Sequence, residues 1–286
     1  MTQGRFASAT AVALAATNPS TSSAPGTARY RADIIDGWDV MGNANGGYVM
    51  AILGRAALAR TERPDVVSMS ANFLAPSTAG PLSIEIEDVR IGRRFATVRS
   101  TAFPDESVRE DGSAKPTVAS TVICGDVTAH DGPTLVSVAP PSIPEPQDCA
   151  RAEPTDFFPP PFVGNIDLRV HPDDAGGYHG EGSTHGEPKF RAWIRLLDDE
   201  PMDTLAVILA GDALPPPVFN TNMAVGWSPT VQLTIHVHAR PASQWLLVDQ
   251  RSDIIDGGAF ETTATVFNPD GSVVARARQL QLLALS

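Results

Sequence analysis

Within the aliphatic stretch LAVILAGDALP one side chain can ionise, Asp212. A carboxylate is costly to bury among aliphatic neighbours unless it is paired or hydrogen-bonded. Asp212 is therefore either a reactive group held in a site, suited to accepting a proton from water, or a residue at a helix end that faces solvent. Gly46 and Gly47 are the next candidates, in GNANGGYVMAILGRAALAR at residues 42–60. Bare backbone at a helix start offers free amides and the positive end of the helix dipole, which suits an oxyanion. The same pair also serves a tight helix start or close packing against a strand.

His236 and His238 stand two apart in PTVQLTIHVHARP at residues 229–241, so they share one face of a strand. Two imidazoles could hold a metal, but the sequence places no third ligand, and neither a metal nor a cofactor is expected. The strand alternates cleanly, with Val231, Leu233, Ile235 and Val237 on one face and Thr230, Gln232, Thr234, His236 and His238 on the other. A polar face of this kind reads first as a solvated sheet surface. His171, His179 and His185 fall in HPDDAGGYHGEGSTHGE, predicted to be a solvated loop because it is too polar and glycine-rich to pack. No GxSxG, HExxH, GxxxxGK[ST] or post-strand GxGxxG occurs, so serine-hydrolase, zincin, P-loop and dinucleotide-binding chemistry lose support.

The elements that would hold these residues come twice. Ser8 or Thr10 can cap a short helix running to about residue 16, ended by NPSTSSAPG at residues 18–26, and a strand follows at 27–35. Residues 42–60 are apolar on nearly every side except Arg55 and Arg60, the pattern of a buried helix. Strands are predicted at 66–74, 82–91, 94–103 and 117–124, each bounded by Pro, Gly or Asp. A Pro-rich, acidic stretch then reads as a linker, set at 136–157, between an N-terminal unit at 1–135, with 1–26 a partly flexible lead-in, and a C-terminal unit at 158–286. The second unit starts with strands at 162–170 and 189–197. A second buried helix at 202–214 stops at Pro215-Pro216-Pro217, because proline has no amide to donate and clashes with the preceding turn. Strands at 230–238, 244–254, 259–267 and 273–283 complete it.

A spacing of 165 residues pairs Pro64 with Pro229, and then Pro76 with Pro241, Gly92 with Gly257, Phe95 with Phe260, Thr97 with Thr262, Pro104 with Pro269 and Asp105 with Asp270. Matches at turns and alternate strand positions favour duplication over accident. DIIDG at 33–37 and again at 253–257 falls in non-equivalent strands and is read as coincidence.

Composition narrows the function classes. Hydrophobic residues at 42% and charged residues at 19% describe a chain that folds. A net charge of −12 with no basic cluster argues against a nucleic-acid or anionic-membrane surface, so an anionic ligand would have to be met locally. Cys124 and Cys149 form neither a disulfide framework nor a metal-finger spacing, which fits a reducing cytoplasm. Residues 7–16 are too short and too rich in Ala, Thr and Ser to make a convincing signal segment, and no run reaches the ~20 apolar residues of a membrane span.

The Asn-Gly-Gly-Tyr helix start, SANFLAP at 70–76, the lone Asp in an apolar helix followed by prolines, PTVQLTIHVHARP at 229–241 and VVARARQLQLL in the last strand occur in this order over residues 28–286. In that combination the chain resembles the acyl-CoA thioesterase II-like branch of the hotdog superfamily. The resemblance implies an α+β double hotdog, two tandem units each with an antiparallel sheet wrapped around a central helix. It implies hydrolysis of acyl-CoA thioesters to free acid and CoA by a water held by Asp212, Thr230 and Gln279, with Gln281, on the same strand face, as the alternative amide. Asn45, Gly46, Gly47 and Tyr48 would meet the substrate at the helix start. Arg93, Arg94 and Arg240 are candidates for the CoA phosphates, since Arg pairs with phosphate in bidentate fashion, although surface solubility explains them equally well. Where relatives often carry an acid two residues after the Thr, Gln232 stands here. A homodimer or higher assembly is implied. A non-catalytic acyl-binding hotdog and a hydratase or dehydratase, which would need His236 or His238 as its acid/base partner, are the competing readings.

Overall fold

The computed structural model describes residues 4–15, 26–104, 115–129, 132–156, 158–178, 185–223, 226 and 228–283. His179 lies outside them. In chain order the described elements are α1 (Arg5–Ala9), β1 (Ala13–Leu14), β2 (Thr27–Ile34), β3 (Asp39–Val40), β4 (Asn43–Ala44), α2 (Gly46–Thr61), β5 (Asp65–Phe73), β6 (Gly80–Ile91), β7 (Ala96–Pro104) and β8 (Val118–Gly125). The second half adds β9 (Ala150–Arg151), β10 (Ile166–Val170), α3 (Pro172–Tyr178), β11 (Lys189–Leu196), α4 (Thr204–Ala210), β12 (Thr230–Val237), β13 (Leu246–Asp256), β14 (Ala259–Phe267) and β15 (Val273–Leu282).

Except for the small hairpin β3–β4, the strands form one antiparallel sheet of 13, in the order β1-β2-β6-β7-β8-β5-β12-β15-β14-β13-β11-β10-β9. Read outward from the β5–β12 junction, each half repeats one order: β5-β8-β7-β6-β2 and β12-β15-β14-β13-β11. The two halves are related by a pseudo-twofold axis at the junction, where Ser70 faces Thr234. This is the double hotdog, and one continuous hydrophobic core runs through both half-sheets and the two central helices.

Duplication is real, but its spacing is 164 residues, the separation of Ser70 and Thr234, and not 165. At this spacing Met69, Ala71, Ala96 and Val98 fall on Leu233, Ile235, Phe260 and Thr262, all buried. At 165, Thr97 would fall on Thr262, yet Thr97 is only partly buried while Thr262 is fully so. A one-residue slip carries every side chain of a strand to the other face, so the identities at 165 are not the structural equivalences.

Other expectations shift locally. Helix α1 runs only from Arg5 to Ala9, short of residue 16, with Thr10 at its C-cap donating its hydroxyl back to the Phe6 carbonyl (2.8 Å). Residues 161–165 form a 3-10 turn before the strand at Ile166. The segment expected to be a solvated loop contains α3, with Asp174 and Tyr178 buried and His171 at 9% exposure. What packs it is charge pairing. Asp174 takes hydrogen bonds from Arg191 Nε on Oδ2 (3.0 Å) and Nη2 on Oδ1 (2.9 Å), and His185 Nε2 lies 2.9 Å from the same Oδ1. Burial alone would raise the Asp174 pKa, but these bonds outweigh it and hold the carboxyl below its usual range.

Candidate active site

Helix α2 is buried along most of its length, which is why its sequence is apolar on almost every side. Asn45 caps it, accepting from Tyr48 N at 2.9 Å. Helix α4 is wholly buried and capped by Asp203. Its last residues tighten into a turn, with Asp212 N bonded to Leu209 O at 3.1 Å, and this turn aims Asp212 at the start of α2.

Gly47 makes the approach possible. A Cβ there would lie 2.9 Å from Asp212 Cβ and 3.1 Å from Ile208 O and Leu209 Cα, so any side chain would push the helices apart. With none, Gly47 N donates to Asp212 Oδ2 at 2.7 Å. Asn45 Nδ2 reaches Asp212 O at 3.2 Å and Oδ2 at 3.4 Å. From β15, Gln279 Nε2 donates to Asp212 Oδ1 at 2.9 Å, and Gln279 Oε1 accepts from Thr230 Oγ1 at 3.1 Å. Part of Asp212 stays open to a cavity while protein encloses the rest. That burial pushes its pKa up to about 6, against the lowering by the Gly47 amide and Gln279. The carboxylate is thus ionised at neutral pH and ready to accept a proton.

Thr230 reaches this chain through a feature that the alternation of its strand conceals. Thr230 pairs with Gln281, Gln232 with Leu280 and Leu233 with Gln279, so Val231 is an extra residue in a β-bulge. The bulge turns Thr230 to the inner face with Leu233, away from Gln232, Thr234 and His236. Apolar alternation gave no sign of it. Gln281 also faces inward, but its Oε1 is taken by Thr262 Oγ1 at 2.6 Å, and Thr262 lies 3.1 Å from Ser252 Oγ.

A cavity of about 890 Å³ opens over these groups, lined by Asn45, Gly46, Asp212, Thr230, Gln279 and Gln281 and otherwise mostly by apolar residues. Gly46 stands at its wall at the first position of α2, where the helix dipole is positive. Other candidates lie elsewhere. Tyr48 is buried and stacked on Trp38, its hydroxyl donating to Ala9 O (2.9 Å) and accepting from Ile35 N (3.1 Å). Arg93 and Arg94 sit on the turn between β6 and β7, and Arg240 makes a bidentate pair with Asp65 (3.0 and 2.8 Å); none of the three lines this cavity. His236 and His238 are exposed, and among the described residues no group of His, Cys, Asp and Glu is arranged to hold a metal.

Comparison with known proteins bears on the family and the fold. A family model described as the acyl-CoA thioesterase N-terminal domain matches residues 34–125, and one described as the C-terminal domain matches 146–283. An uncharacterized protein of Mycobacterium tuberculosis is 26% identical over 274 residues, 89% of this chain and 90% of its own length. A thioesterase II-type structure from Thermobifida fusca superposes with a TM-score of 0.83 at 28% identity, covering 99% of both chains. A hot dog fold protein from Alicyclobacillus acidocaldarius gives 0.81 at 21% identity over 100% of both. The chain belongs to the acyl-CoA thioesterase family, with the N-terminal and C-terminal domains of that family joined in one double hotdog polypeptide.

Proposed function

We propose that the protein hydrolyses acyl-CoA thioesters to free acid and CoA with water as the nucleophile and Asp212 as its base. The observation that carries this reading is the fixed carboxylate at the cavity wall, its Oδ1 held by Gln279 and its Oδ2 by the Gly47 amide and Asn45, with burial raising its pKa to about 6. Water bound between Asp212 and Thr230 attacks the thioester carbonyl carbon and gives a proton to Asp212. The Gly46 amide, at the N-terminus of α2, faces the developing oxyanion. As the tetrahedral adduct collapses, the C–S bond breaks and the thiolate takes the proton from Asp212. Gln279 positions both Asp212 and Thr230.

Arg93 and Arg94 remain candidates for the CoA phosphates at the protein surface, while Arg240 is already committed to Asp65. The division at residues 136–157 and a homodimer or higher assembly belong to the same proposal; light scattering tests the assembly. The hydratase reading has less support, since no histidine lines the cavity among the described residues. The test is thiol release from short, medium, long and aromatic acyl-CoAs by wild type, Asp212→Asn and Thr230→Ala. Turnover by wild type that both variants largely lose is expected. Full activity in Asp212→Asn would overturn the proposal.

A further inference from the structure

Three residues separate α2 from β5 in the first half, whereas nineteen separate α4 from β12 in the second. The longer connection runs through Asp212, Leu214, Pro215 and Pro216, all of which line the cavity, into a 3-10 turn, Pro217–Asn220, of which Phe219 lines it. On this turn Phe219 meets Phe158 edge to face, with ring centroids 6.0 Å apart and planes at 70°. Phe158 in turn lies 5.5 Å from Tyr178 at the end of α3, tilted by 43°. All three rings line the same cavity as Asp212.

The rings are held in place. Tyr178 rests edge-on against Phe190 at 6.2 Å, and α3 is pinned to β11 by the buried Asp174–Arg191 pair. Asn220 closes the turn onto β11 by donating to Lys189 O at 2.9 Å. A wall fixed in this way is preorganised and does not have to assemble around its ligand.

We propose that Phe158 and Phe219, backed by the buried ring of Tyr178, form the acyl subsite and that it selects an aryl or arylalkanoyl group over a linear chain. This rests on the thioesterase reading for its chemistry, since the acyl group lies beyond the carbonyl that Asp212 addresses. Phe158 and Phe219, partly buried and set edge to face, keep ring surface toward the cavity, while Tyr178, at 1% exposure, packs against Phe158 and holds it in place. A further ring can meet them edge to face, which favours it beyond the area it buries by roughly three- to tenfold in affinity. A polymethylene chain gains only the area.

Two measurements separate this inference from the thioesterase reading. The first is calorimetric binding of two neutral carbonyl probes, 4-phenylbutanamide and octanamide, to wild type and to Phe219→Ala and Phe219→Leu. The wild type is expected to bind the aryl amide about fivefold more tightly, both variants to lose that preference, and Phe219→Leu, which keeps an apolar wall, to hold octanamide within twofold. Equal affinities in the wild type, or an equal weakening of both probes in the variants, overturns the aryl subsite whatever the enzyme hydrolyses. The second is kcat/KM for phenylacetyl-CoA against octanoyl-CoA. An aryl preference that disappears in Phe219→Leu is expected, and a linear preference in the wild type overturns the inference. Selective binding without turnover of any ester leaves the subsite standing and removes the hydrolase.

Discussion

The two halves of the chain hold the same strands in the same order, yet the positions around the Asp212 carboxylate differ in chemistry. At the repeat spacing Thr230 corresponds to Val66 and Thr262 to Val98, and strand pairing sets Gln279 and Gln281 opposite the places of Val122 and Cys124. One half thus carries four hydrogen-bonding side chains where the other carries four apolar or weakly polar ones, all of the latter buried. Both β5 and β12 carry a bulge, at Val67 and Val231, so the backbone device is common to both halves. The helix starts differ too. Asp203 spends its side chain on the Leu205 and Ala206 amides of α4, whereas Asn45 takes only the Tyr48 amide and leaves Gly47 to Asp212. The same fold therefore builds a closed core on one side of the pseudo-axis and a polar site on the other, and side-chain identity at a handful of inward positions makes the difference.

Removing the charge at the centre has the largest expected effect. Asp212→Asn is expected to lower kcat about a thousandfold while leaving the fold intact, read by thiol release and circular dichroism. In the wild type, kcat/KM is expected to fall tenfold per pH unit below about 6, as Asp212 takes up its proton, and any residual rate of the variant to lack that limb. Stability carries the same signature with a definite sign. Folded Asp212, at about 6, binds a proton that the unfolded chain has already released above 3.8, so this group lowers stability as pH rises between those values. The cost reaches up to about 3 kcal/mol above pH 6, and urea titrations of wild type minus Asp212→Asn are expected to show it.

Giving the half that carries Asp212 the residues of its twin sharpens the comparison. Gln279→Val, which installs the side chain of position 122, is expected to reduce kcat about a hundredfold and to move the acid limb to higher pH, because Asp212 loses a donor that favours its charged form. Gly47→Ala tests the approach of the helices. Its Cβ would meet backbone at 3.1 Å, and a loss of about 1–3 kcal/mol in stability together with reduced turnover is expected from denaturation and rate measurements. Thr230→Val, the residue of position 66, is expected to cost about tenfold in kcat with little change in KM, since it removes the hydroxyl that orients Gln279. Gln281→Cys, the residue of position 124, is expected to change kcat less than twofold, because Gln281 is bonded to Thr262 and not to Asp212. A drop as large as that of Gln279→Val would exchange the roles of the two glutamines.

The sequence by itself determined the α+β double hotdog class, the two buried helices and Asp212 as the carboxylate of interest. Hydrophobic patterning reports which helices are enclosed, and an ionisable residue in one such apolar stretch is conspicuous, although the helix expected at 202–214 covers only Thr204–Ala210 and leaves Asp212 in the turn that follows. Only the tertiary structure decided the rest. Alternation assigned Thr230 to the solvated face, and the bulge at Val231, which depends on pairing with β15, brought it inward. Gly46 and Gly47 looked alike, and the approach of α4 gave Gly47 to the carboxylate and left Gly46 at the cavity wall. Arg240 looked available for phosphate, and a partner 175 residues away in the chain, Asp65, claimed it. The segment HPDDAGGYHGEGSTHGE read as a solvated loop because it is polar and glycine-rich, and the pairing of Asp174 with Arg191 on β11 buried part of it. Local pattern fixes which elements form, but a bulge, an ion pair and a close helix contact each depend on residues far apart in the chain, and their meeting is a property of the folded packing alone.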